Sequence, residues 1–221
     1  MSGRFDLSFE QLPPAIPIFP LTGVLLLPRG RLPLNIFEPR YLAMVSDALP
    51  WPRLIGMLQP QDGRGDAGEP PVYPVGCAGR IMHWSETEDG RYIIQLLGTA
   101  RFRIAGELPM QRGYRLVRPD WTPYRGDLSP PPAEAVLDRE RMLRALKPFL
   151  KRHNIEIDWA AAAKAPDDAL VTMVAMGCPF QPSEKQALLE VETLGERAKL
   201  LTALLEMAGA PAATEPTGVR H

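Results

Sequence analysis

Between residues 101 and 125 the sequence places Arg101, Arg103, Arg112, Arg115, Arg118 and Arg125 against only Glu107 and Asp120, with Tyr114, Trp121 and Tyr124 set among them. Arginine carries a planar fork of donors that grips phosphates or carboxylates, and an aromatic ring beside it offers a face for stacking. Such a run suits two chemistries. It can hold the phosphates and bases of a single-stranded nucleic acid, or the carboxylates, backbone and aromatic side chains of a peptide. A third reading is plainer: Arg101, Arg103 and Arg115 fit the alternation of a half-exposed strand, which would make the charges an ordinary wet face.

Other reactive groups do not gather at a spacing that chemistry requires. A phosphate-cradling loop needs G-x-x-x-x-G-K-[ST], and a dinucleotide fold needs G-x-G-x-x-G after a strand; the chain has neither, so ATP hydrolysis is not expected of it. His83, His153 and His221 lie far apart and none opens an H-E-x-x-H, so no metal site is expected. Ser46, Ser85, Ser129 and Ser183 sit in no G-x-S-x-G context, and Ser129 and Ser183 read as helix starts. Glu86, Glu88 and Asp89 cluster beside Gly90, where a solvated hairpin is simpler than a paired acid and base. Cys77 and Cys178 lack the basic neighbour that would mark a thiolate. No cofactor is implied.

Composition bounds the remaining choices. The chain has 221 residues, 45% of them hydrophobic and 23% charged, with a formal net charge of -1. That is enough apolar matter for a real core and too little net charge to attract nucleic acid or an anionic membrane by itself. Two distant cysteines fit a reducing compartment, the start carries no continuous apolar signal core, and no apolar run reaches bilayer length. A cytoplasmic protein with no membrane partner is expected.

The elements that would position these residues change character near Ser129. Up to there, "AIPIFP", "VLLLP", "RLPLNI", "RLIGML", "VYPVGCAGRIMHW", "RYIIQLLG", "ARFRIAGEL" and "GYRLVRPDW" are short apolar runs bounded by Pro, Gly or polar turns. They predict an antiparallel curved sheet or small barrel, with Pro33 at an edge. Within this part, residues 38–49 predict a helix entered at Glu38 and Pro39, with Tyr41, Leu42, Val45 and Leu49 on one face. Residues 59–71 read as an exposed loop, in which the RGD of residues 64–66 is a coincidence. After Ser129 the period becomes helical. Ala133, Val136, Leu137, Met142, Leu143, Leu146 and Leu150 form a stripe, two shorter helices follow, and residues 182–209 predict a further helix with Ser183 and Gln186 as a capping box. These stripes need an apolar partner, so barrel and helices are expected to pack as one unit.

The segment "PIFPLTGVLLLPRGRLPLNIFEPRYLAMVSDAL" resembles the start of the Lon protease substrate-binding (N-terminal) domain, a likeness supported by "GCAGRI" at 76–81, "GTARFRI" at 98–104 and "PSEKQALLE" at 182–190. The resemblance implies an α+β fold: a compact pseudo-barrel of mostly antiparallel strands of the PUA-like type over residues 1–128, a C-terminal helical subdomain over 129–209, and a flexible tail at 210–221. It implies a stand-alone member, with no ATPase or protease module. Pro20, Leu21, Pro28, Pro33, Phe37, Glu38, Arg40 and Tyr41 match the family's framework motif, in which none is catalytic. Glu38 and Arg40 are expected to bond to the backbone or to each other, and Phe37 and Tyr41 to fill the seam between barrel and helix.

The function implied is therefore non-enzymatic: holding exposed peptide or unfolded-protein segments, with a protease or chaperone as a further partner and the oligomeric state left open. RNA binding by the arginine-rich face is the alternative, and an unrecognised hydrolase or small-molecule binder a third. An extended peptide needs apolar pockets and polar groups together. The expected binding face accordingly comprises Arg101, Arg103, Arg112, Tyr114, Arg115, Arg118, Trp121 and Tyr124.

Overall fold

The computed structural model describes residues 7–61, 70–130 and 137–209. The RGD triplet, the stripe positions Ala133 and Val136, the 210–221 tail and His221 lie outside the described residues. In chain order the elements are β1 (Ile16–Pro20), β2 (Arg31–Ile36), α1 (Pro39–Ala48), β3 (Leu54–Leu58), β4 (Val75–Glu86), β5 (Tyr92–Gln111) and β6 (Tyr114–Asp120). Then follow α2 (Arg139–Arg152), α3 (Trp159–Lys164), α4 (Asp167–Gly177), α5 (Pro182–Glu190) and α6 (Leu194–Gly209).

The strand pairing closes on itself. β5 pairs β4, β4 pairs β3, β3 pairs β1, β1 pairs β6, and β6 returns to the second half of β5. All of these pairs are antiparallel except β1 with β3. β2 stands outside this ring, paired among the described residues only to the first half of β5, so it is an edge strand, and Pro33 sits in it where a missing N–H is tolerated. The apolar runs at 91–98 and 100–108 join into the single long strand β5, which is what lets one strand serve both β2 and β6.

Two apolar clusters result. Inside the ring lie Ile16, Ile18, Leu54, Leu58, Ala78, Ala100, Phe102 and Val117. The ring is small enough that Phe102 fills it: a Cβ on Gly56 would stand 2.8 Å from the tip of the Phe102 ring. The other faces of β3 and β4 carry Ile55, Met57, Val75 and Cys77, which share one cluster with Met142, Leu146, Phe149, Leu170, Val174, Leu188 and Leu201 of the helices. Barrel and helices thus bury a common core, and β3 and the start of β4, covered on both sides, show no polar alternation.

Several sequence expectations are corrected. The run "VLLLP" is not a strand; Leu25, Leu26 and Leu27 are buried in an irregular segment whose neighbours bond to Gly98, with Arg29 N to Gly98 O at 2.7 Å and Gly98 N to Gly30 O at 2.8 Å. A short apolar run does not distinguish a strand from a buried irregular stretch. Gly98 is needed there, because a Cβ would fall 2.7 Å from the Leu27 carbonyl carbon. Ser129 starts no helix; it closes the 3-10 helix Thr122–Leu128, and α2 is capped by Asp138, whose side chain accepts from Arg141 N. Residues 182–209 are two helices. Thr193 and Glu196 cap the second reciprocally, with Thr193 N to Glu196 Oε2 at 3.1 Å and Glu196 N to Thr193 Oγ1 at 3.2 Å. The box before α5 is Gln181 with Glu184 rather than Ser183 with Gln186, since the Gln186 side chain is buried and donates to Val75 O.

Candidate functional site

The arginine and aromatic run does not assemble into one face. Arg101 is 4% exposed. Its Nε and Nη2 donate to both oxygens of Asp127 at 2.9 and 2.8 Å, and the remaining donors reach Leu189 O at 3.0 Å, Val191 O at 2.6 Å and Glu192 O at 3.3 Å. The guanidinium also lies 4.5 Å above the Tyr124 ring. Arg101 is therefore a clamp from β5 to the carbonyl end of α5, where a cation also meets the negative end of the helix dipole. Burial opposes its charge, yet the hydrogen bond and charge of Asp127 keep its pKa above the ordinary value. Arg197 joins it at Leu188 O, 2.8 Å away, and is pushed down to about 10 by burial and by the neighbouring Arg101.

The aromatics are equally occupied. Trp121 is buried edge-on to Phe102 and donates to Pro13 O at 3.0 Å; Tyr124 is buried under Arg101. Tyr114 is buried and donates to Asp47 at 2.9 Å, and burial, reinforced by Asp47, pushes its phenol up to about 12. Arg112, at the β5–β6 turn, pairs with the same Asp47 at 2.7 Å, and Arg115 is held by Glu107 and by Pro70 O. Arg103 and Arg118 are exposed, with no ion pair among the described residues. The expected binding face is thus corrected: Arg101 and Tyr114 point into the molecule because every other side chain of a curved, closed sheet must fill its interior or its helix-covered side, and Trp121 and Tyr124 are buried where the 3-10 helix after β6 folds back on the barrel. None of the three rings of this run is left as a stacking platform.

The framework motif behaves as a junction, with one exception. Leu21 N donates to Leu58 O at 3.0 Å just after Pro20, and Pro28 is buried. Glu38 is the N-terminal cap position of α1 and pairs with Arg40 at 3.1 Å; Arg40 lies 4.6 Å over the Tyr41 ring, and buried Tyr41 packs against Phe19 at 4.3 Å. Phe37 does not fill the seam. It is 63% exposed, because Ile36 before it points into the core and successive strand residues alternate.

A concavity lies elsewhere among the described residues. A groove of about 580 Å³ lies between residues 23–25 and 29–33 on one wall and Asp168, Ala169, Thr172, Met173, Met176 and Gly177 of α4 on the other, with Lys185 of α5. Leu170, Val171, Val174 and Ala175 turn the opposite side of α4 to the core. α4 is therefore apolar around most of its circumference, and the side left over faces the groove with Met173 48% exposed. Methionine is flexible and polarizable, suited to contacts of variable shape. β2 supplies Arg31, Leu32 and Pro33 to the facing wall, and beyond them no strand covers its outer edge among the described residues.

Lys185 is the groove's unusual group. It is 6% exposed and its Nζ donates to Gly23 O at 2.7 Å. Burial lowers its pKa, while the nearby Cys178 acts weakly the other way. Burial in turn pushes the Cys178 thiol up to about 12 and raises Cys77 further, so neither is a ready nucleophile. No group of three or more His, Cys, Asp or Glu that could hold a metal occurs among the described residues, and no helix among them is long and apolar enough to cross a membrane. Sequence reading missed the groove. Its one signal was the apolar run of α4, broken after Asp168 only by Thr172, which is more apolar than a helix with a fully solvated face.

The family model for the ATP-dependent protease La (LON) substrate-binding domain matches residues 15–207. Among curated proteins, the chain is 26% identical over 198 residues to Lon protease 2 of Myxococcus xanthus, covering 89% of this chain and 24% of that protein. It is 28% identical over 218 residues to Lon protease of Parabacteroides distasonis, covering 91% and 25%. The chain thus spans about a quarter of the length of these relatives. Among solved structures, the Lon N-terminal domain protein from Xanthomonas campestris superposes with a TM-score of 0.58 at 24% identity, covering 86% of this chain and 97% of that one. The N-terminal domain of the Mycobacterium avium complex Lon protease gives 0.59 at 17% identity, with the same coverage.

Proposed function

Because the chain belongs to the family of ATP-dependent protease La (Lon) substrate-binding domains, we propose that it binds short exposed segments of other protein chains in the groove between β2 and α4. One observation carries the reading. A mostly apolar groove has in one wall an edge strand that no other strand covers among the described residues and exposed methionine in the other, and this pairs backbone hydrogen bonding with adaptable side-chain contacts. A bound segment runs along β2, bonding to the backbone groups on either side of Pro33, which itself offers no N–H, and lays alternate side chains on Met173 and Met176. The role is binding rather than chemistry, in the service of a proteolytic or quality-control partner. That partner is inferred only from the relatives, whose names are those of proteases.

The test is fluorescence anisotropy of a labelled, permanently unfolded model protein, such as reduced and carboxymethylated lactalbumin, titrated with the full chain. Ala169 and Met173 line the groove and are exposed, so Ala169→Arg with Met173→Asp blocks it without touching the core. The double variant is expected to weaken binding at least about tenfold, the equivalent of about 1.4 kcal/mol. Arg112, Arg115 and Arg118, replaced together by alanine, are expected to leave the affinity nearly unchanged. Unchanged affinity in the folded groove variant, or a large loss in the triple-arginine variant, refutes this placement.

A further inference from the structure

The groove holds a cation that no carboxylate among the described residues neutralises. Lys185 is buried, and among the described residues its only hydrogen-bond partner is the Gly23 carbonyl and no carboxylate pairs with it. An ammonium carries three donors, so two remain to be satisfied in a mostly apolar enclosure, where an unmatched charge is costly. Arg29 and Arg31 also line the groove, and their side chains bond to neutral oxygens: Arg29 to Asp127 O and Ser129 O, and Arg31 to Gln95 Oε1 at 3.3 Å. Against these three cations the lining sets a single carboxylate, Asp168. The charge complement of the site is thus an anion, and its position within an apolar lining calls for one attached to an apolar body.

Resting on the reading that the groove binds peptide, we propose that it is a receptor for chain ends. Lys185 takes the C-terminal carboxylate of an extended peptide whose last side chains are apolar, while the preceding residues run along β2. A chain end fits better than an internal aspartate or glutamate, because an internal acid would bring peptide units on both sides of it into the enclosure and leave their N–H and C=O groups to be matched there. The volume of about 580 Å³ agrees, being that of a site for a small ligand or a few residues rather than a long segment. The class of ligand is therefore protein chains with an apolar, free C-terminus, such as those left by cleavage or truncation.

The experiment uses the full chain and two probes of identical sequence, a fluorescein-labelled hexapeptide ending in two leucines, made as the free acid and as the C-terminal amide. The acid is expected to bind about tenfold more tightly or better, as one hydrogen bond to a charged group would give. With Lys185→Gln the acid and amide should converge, and the amide's affinity should change little. Equal affinity of acid and amide for the unaltered protein overturns the chain-end inference, while the groove reading stands if Ala169→Arg with Met173→Asp still weakens both. If neither peptide binds and that double variant also leaves unfolded-protein binding unchanged, the groove reading falls and the inference with it. Decanoate displacing the peptide acid at equal or lower concentration also overturns the inference, since the groove would then serve free fatty acids. The acid and amide comparison needs no variant, so a folding failure of Lys185→Gln leaves the test intact.

Discussion

Replacing Arg101 by methionine removes the clamp between barrel and helices while keeping most of the side chain's apolar length. Five side-chain hydrogen bonds disappear: two to Asp127 and one each to the carbonyls of Leu189, Val191 and Glu192. The Asp127 side chain is only 11% exposed, so its charge is left in the protein without the partner that balanced it. Adding five charge-assisted bonds at face value would overshoot, because water replaces some of them. The relevant scale is the loss on breaking a buried pair, about 3–5 kcal/mol. At about 2–4 °C per kcal/mol for a chain of this size, the thermal midpoint should fall by about 6–20 °C in calorimetry or circular dichroism. Asp127→Asn in the same background removes the stranded charge, and the double variant should be more stable than the sum of the two single losses by about 1–3 kcal/mol. A loss below about 1 kcal/mol for Arg101→Met, or simple additivity in the cycle, would refute the clamp. A normal midpoint together with lost peptide binding would instead restore Arg101 to a binding face.

Further outcomes follow from other contacts. Gly98→Ala drives a methyl into the Leu27 carbonyl, where only backbone can give way, so a loss above about 3 kcal/mol is expected in the urea midpoint. Gly56→Ala meets the tip of the Phe102 ring instead and should cost about 1–3 kcal/mol, partly recovered by Phe102→Leu in the same chain. Tyr114 has its pKa raised in the folded protein, by burial first and then by Asp47, so its neutral form is favoured by folding. Its contribution is full below the unfolded value near 10 and is lost as the pH rises through about 12; the wild type should lose more stability than Tyr114→Phe across that window in alkaline denaturant titrations. Tyr114→Phe itself removes one hydrogen bond to Asp47 and should cost about 1–3 kcal/mol at neutral pH.

Much of the architecture was legible because it is written in local patterns. Proline at the first position of α1, the period of α2, and the turn residues at 87–90 each mark an element through its own backbone chemistry. The capping pair Thr193 and Glu196 was equally local, a T-x-x-E signature passed over because the apolar period runs on across the break between α5 and α6. The arginine run misled for a different reason. Its alternation reports that side chains point to two sides, and does not report that one side is covered by the end of a helix 88 residues later, as Arg101 is by Leu189.

By itself, then, the sequence determined the order and kind of most elements, the family likeness carried by the segment from Pro17 to Leu49, and that it carries no P-loop, H-E-x-x-H or G-x-S-x-G motif. Only the tertiary structure decided which arginines are scaffold and which are surface, that Phe37 faces solvent while Tyr41 does not, and that β2, α4 and Lys185 enclose a groove. The physical reason is that propensity and capping act over one turn of chain. Burial, the environment of a charge and the shape of a cavity arise instead from residues such as Gly23 and Lys185, 162 positions apart, which come together only when the core of barrel and helices closes.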